Sequence, residues 1–101
     1  MVETFKTLAQ QTVPSTGATI YTTPALTQTI IKEILVANDS AGDSGVTISV
    51  NGFVILPMTT ILAGGHGTFT GGITLNAGET VEADGSGNNV ITISLFGVEE
   101  E

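Results

Sequence analysis

Thr29-Ile30-Ile31-Lys32-Glu33-Ile34-Leu35-Val36-Ala37-Asn38 reads as a long central strand. The run is dense in β-branched residues, contains neither Gly nor Pro, and ends in the turn cluster Asp39-Ser40-Ala41-Gly42-Asp43-Ser44-Gly45. Strand periodicity alone does not name its inner side. Ile30, Lys32, Ile34 and Val36 share one face, Ile31, Glu33, Leu35 and Ala37 the other, and each face carries one charge. A β-bulge at Lys32-Glu33 resolves the conflict, because it lets Ile31 join Ile34 and Val36 inside.

Short strands flank this run on both sides. Residues 1–12, with weak alternation at Phe5 and Leu8, read as an N-terminal arm or a first edge strand. Pro14-Ser15-Thr16-Gly17 is a turn, and Ala18 to Thr23 a strand stopped by Pro24. Val46-Thr47-Ile48-Ser49-Val50 alternates strictly. Asn51-Gly52 follows it, a type I′ hairpin signal, since both central residues of that turn need positive φ. Phe53 to Leu56, ended by Pro57, is its partner. Thr59 to Leu62, Thr68 to Thr70 and Ile73 to Leu75 read as further short strands, with Ala63 to Gly67 a loop. Thr80 to Ala83 and Val90 to Val98 are the last two, separated by an Asp84 to Asn89 loop. Eight or nine strands without a helical period predict one all-β domain over residues 1–101. The expected architecture is an antiparallel β-sandwich, jelly-roll-like or Greek-key.

Composition narrows the function classes. A chain of 101 residues with 41% hydrophobic and 12% charged residues folds around one core, its surface covered by Thr, Ser, Asn and Gly more than by charge. Such a neutral surface suits packing against neighbours. Two cations, Lys6 and Lys32, face ten acidic residues for a net charge of −8, and there is no Arg. Nucleic-acid binding and docking on an anionic membrane both need the opposite balance. Without Cys there are no disulfides or thiolate metal sites. Met1 to Lys6 carries no export signal, so synthesis in a cytoplasm is expected.

No catalytic constellation emerges, and no cofactor is expected. His66, the single His, sits between glycines with no triad partner near it in sequence. Asp84, Ser86 and Asn88 start like a calcium loop and are the one metal-site candidate. The sixth position is Asn89 instead of Gly, however, and the twelfth is Leu95 instead of Glu. Asp39 and Asp43 read as a solvated turn. The glycines from Gly64 to Gly72 match no phosphate-binding fingerprint and suit tight turns or close backbone approach. Glu99-Glu100-Glu101 reads as a solvated acidic end, with docking on a basic surface as its functional alternative. Sugar sites lean on aromatic faces, and this chain has no Trp and only Tyr21 as a Tyr.

The order Ile20-Tyr21-Thr22-Thr23-Pro24, then Thr29 to Asn38, then Val46 to Val50, resembles small tailed-phage and prophage virion accessory proteins. Leu75-Asn76-Ala77-Gly78-Glu79-Thr80-Val81 and Ile93-Ser94-Leu95-Phe96-Gly97-Val98-Glu99 extend the similarity over nearly the whole chain from Ile20 onward. The resemblance implies a non-enzymatic structural protein made in the bacterial host cytoplasm and carried in the virion. Its place there is head decoration or cementing, or the tail. Implied partners are copies of itself, a trimer favoured, and other virion proteins such as the major capsid protein. Phe5 and Leu8 are the candidate contacts if residues 2–12 act as an arm. The alternative is a tail-associated or receptor-tip module that binds carbohydrate or calcium.

Overall fold

The central strand forms as expected, and the bulge settles its orientation. In the computed structural model, which describes residues 3–101, β3 (Gln28–Asn38) buries Ile31, Ile34 and Val36 together. Its register shifts between Ile31 and Glu33 against both neighbouring strands: Lys32 is the extra residue against one, whose Gly97 and Phe96 are consecutive, and stands opposite two residues of the other. One neighbour meets the bulge with Gly71-Gly72, where Gly71 has a φ of 139°. The other meets it with Gly97, whose missing Cβ would stand 2.1 Å from the Ile30 carbonyl oxygen. Two neighbours shaped to one irregularity make it a built feature of the sheet.

Around β3 the chain forms β1 (Glu3–Thr12), β2 (Ala18–Thr22), β4 (Ser44–Val50), β5 (Phe53–Ile61), β6 (His66–Leu75), β7 (Thr80–Gly85) and β8 (Ile91–Glu100). All pairings are antiparallel, in two four-stranded sheets ordered β1-β8-β3-β6 and β2-β7-β4-β5. This is the jelly-roll winding of an eight-stranded sandwich. Ile31, Ile34, Val36, Ile93 and Leu95 of one sheet meet Val46, Ile48, Val81 and Ala83 of the other in a single core. The alternation of apolar and polar residues in β4 and β7 produces this directly, one face inward and one outward. Asn51 and Gly52 take φ values of 53° and 82°, the left-handed pair that the β4–β5 hairpin needs.

Several boundaries differ from the sequence reading. Pro57 does not end a strand: β5 runs through it to Ile61, absorbing the separate Thr59 to Leu62 strand. A residue without an N–H is tolerated there because β5 is an edge, and the register shifts around it. Likewise Thr68 to Thr70 and Ile73 to Leu75 are one strand joined through the bulged glycines. His66 opens β6 opposite Ala37 instead of lying in a loop, and Asp84 belongs to β7. Glu99 and Glu100 are part of β8. β1 pairs along β8 in its own chain as the sheet's edge, with a register shift at Leu8. Met1 and Val2 lie outside the described residues.

Candidate functional site

The two long sides of the sandwich are built differently. Where β1 and β2 lie, a polar clamp closes the edge. Tyr21 on β2 donates its hydroxyl proton to Glu99 Oε2 on β8 at 2.5 Å. Its oxygen lies 2.8 Å from Thr29 Oγ1 on β3, and with the phenol proton committed to Glu99 the Thr29 hydroxyl donates. Glu99 Oε1 pairs with Lys6 Nζ on β1 at 2.5 Å. One chain of contacts therefore ties four strands and both sheets. Burial first, and then the bond to Glu99, push the Tyr21 phenol up to about 12. The Lys6 ammonium, with Tyr21 behind it, holds the Glu99 carboxyl below its ordinary range. The acidic end expected to be solvated is, at Glu99, a structural group.

The opposite side, where β5 and β6 form the edges, stays open. A groove of about 330 Å³ enters between the sheets there, lined by Ile31, Ile34, Ile55, Phe69 and Ile73 with Lys32 and Glu33 of the bulge at its rim. Phe53, Val54, Ile55, Met58 and Leu62 stand exposed along β5 and the turn after it, and Phe69 is exposed on β6. From Ser44 to Gly78 the sequence holds no Asp, Glu, Lys or Arg. That gap was the available signal for this surface, together with Phe53-Val54-Ile55-Leu56, which lacks the polar alternation of a half-exposed strand.

Of the residues singled out from sequence, Gly71 and Gly72 line this groove and His66 opens β6 on the same side, whereas the metal candidates lie elsewhere. Asp84 faces an open polar depression of about 530 Å³ beside Glu82, Thr19 and Ser49. Ser86 Oγ accepts from the Gly45 N–H at 2.7 Å, and Asn88 Oδ1 from the Ser15 N–H at 3.2 Å. Ser86 and Asn88 thus spend these oxygens on separate turn contacts. Among the described residues no group of three or more His, Cys, Asp or Glu is arranged to hold a metal ion. Asp43 Oδ1 accepts from the Ala63 N–H at 3.0 Å, tying the β3–β4 loop to the β5–β6 turn. Phe5 is exposed on β1, whereas Leu8 packs against the core.

No protein-family model matches this sequence, and no curated protein matches it. Solved structures do. A structure titled as the acidic stable capsid of Helicobacter pylori bacteriophage KHP30 aligns with a TM-score of 0.60 at 13% identity, over 100% of this chain and 94% of that one. A virus-like particle of the extra small virus of the giant freshwater prawn Macrobrachium rosenbergii aligns at 0.56 and 11% identity, over 100% and 81%. The nucleoplasmin-like N-terminal domain of Drosophila FKBP39 aligns at 0.53 and 13% identity, over 98% and 90%. At such identities the likeness is one of fold. The fold is one that phage and viral capsid proteins use, and a nucleoplasmin-like domain uses it as well.

Proposed function

We propose that this chain is a non-enzymatic structural protein of a phage particle, which decorates or cements the capsid surface through contacts with copies of itself and with the major capsid protein. The observation that supports this best is coextension. One jelly roll accounts for the whole described chain, and the phage capsid structure it resembles is accounted for over almost its full length by the same sandwich. A protein of this kind works by shape and contact surface. Its acidic balance keeps it off the packaged genome, which repels a chain of net charge −8. Copies group around a symmetry axis of the particle, with a trimer as the favoured arrangement. Phe5, exposed on edge strand β1, is available to a neighbouring particle protein, while Leu8 secures β1 to the core.

The test is particle composition. Particles from a producing culture are banded on a density gradient, and the chain is sought in the band by mass spectrometry. The expected result is co-banding, with particles lacking the chain losing integrity at a lower temperature. Particles that band without it, while it remains among unassembled proteins, would overturn the reading.

A further inference from the structure

We infer that the open β5/β6 side of the sandwich is the surface through which one copy of this chain binds another. Phe53, Val54, Ile55, Met58, Leu62 and Phe69 are between 36% and 77% exposed there. Taking roughly 200 Å² for a fully exposed large apolar side chain, they present on the order of 700 Å² of apolar side-chain surface. Shared between the two faces of the β5 edge, the turn after it and β6, that area is of the order of the largest apolar patch of a typical monomer, about 300–600 Å², and of the ~800 Å² that each partner buries in a specific protein complex.

Charge decides the occupant. A basic partner would be drawn to the carboxylates of this molecule, and Ser44 to Gly78 contains none; the two that reach this side are Glu33, next to Lys32, and Asp43, whose Oδ1 accepts from the Ala63 N–H. Two copies, each of net charge −8, repel least where a surface poor in charge meets its like. Among the described residues the only charges lining the groove are Lys32 and Glu33, which cancel within each copy. Neither side chain makes an ion pair or hydrogen bond among the described residues. β5 is also an edge strand with no charged residue along its length, so Pro57 and the register shifts around it, and no charge, are what guard it against a second chain. An acidic protein that leaves one side apolar and poor in charge is built to meet its own kind on that side.

The inference deepens the particle reading by naming the contact between copies, yet it is tested on the purified chain alone. Light scattering after size exclusion is run across a wide concentration range at low and high NaCl. The expected result is a concentration-dependent mass above the monomer that grows with salt, because salt screens the mutual repulsion and leaves the apolar contact. Phe53→Asp and Leu62→Asp, at opposite ends of the exposed β5 surface, are each expected to weaken association by about tenfold or more. Leu26→Asp changes an exposed apolar residue outside this side and is expected to leave association unchanged. Thermal melting at low concentration checks that each variant folds. A monomer at every concentration and salt would overturn the inference, and so would association that salt weakens or that both β5-side variants leave intact. Association in solution by a chain absent from particles would sink the particle reading and leave this contact standing.

Discussion

Asn38 and Thr23 are both buried polar side chains at strand ends, and their energetics have opposite signs. Asn38 Nδ2 donates to the carbonyl oxygens of Gly42 at 2.8 Å and Ile61 at 2.9 Å. Its Oδ1 accepts from the Ser40 N–H and hydroxyl. Asn38→Ala strips partners from several groups in one pocket and is expected to cost about 3 kcal/mol. For a chain of this size that is a fall of roughly 15 °C in Tm. Thr23 Oγ1, by contrast, is buried with no hydrogen-bond partner among the described residues. Thr23→Val keeps the shape and removes the desolvated hydroxyl, so stability is expected to rise by about 1 kcal/mol. Urea denaturation of both variants checks the pair, and a destabilised Thr23→Val would show that the hydroxyl has a role the described contacts do not include.

Among the elements, β1 depends most on a titratable contact. The Lys6–Glu99–Tyr21 chain fastens it beyond its hydrogen bonds to β8. Glu99 has a lower pKa folded than unfolded, so its contribution is complete above the ordinary value of 4.5 and disappears as the pH falls through the folded value. Tyr21 works the other way: its pKa is raised to about 12 from 10.0, so its contribution is complete below pH 10 and is lost as the pH climbs to 12. The Tm difference between wild type and Glu99→Gln is expected to be largest near neutrality and to vanish in acid. A difference that stayed constant down to pH 3 would place the effect in packing instead of charge. Elements also differ in how far the sequence reveals them. β3 and the β4–β5 hairpin were legible because β-branched density and Asn51-Gly52 are local signals. β5 and β6 were cut in two because Pro57 and Gly71-Gly72 punctuate locally, and only position at a sheet edge or beside a bulge shows that the strand continues. Tyr21 and Glu99 lie 78 residues apart, a pairing that no local pattern announces. The open side was partly legible in the missing charges, but its exposure follows from topology.

For the molecule as a whole, the jelly-roll winding sets the order in which structure can form. Only β4 and β5 are neighbours both in the chain and in a sheet; every other pairing joins distant segments, with β1 beside β8 the extreme case. Each distant pairing must meet its loop-closure entropy before its contacts contribute, which puts folding of such topologies on a time scale of milliseconds to seconds. The β4–β5 hairpin avoids that cost, and its turn is already specified by Asn51 and Gly52. It is therefore the element expected to be formed in the transition state, with β1 docking last. Gly52→Ala places a Cβ in the left-handed region at a φ of 82° and costs about 1–2 kcal/mol. Stopped-flow chevrons below the association range are expected to show that cost almost wholly as slower folding. Glu99→Gln, which loosens β1, is expected to act almost wholly as faster unfolding. The reverse partition would mean that the sheet carrying β1, β8 and β3 assembles first and that the hairpin, though the cheapest contact to close, is not where folding begins.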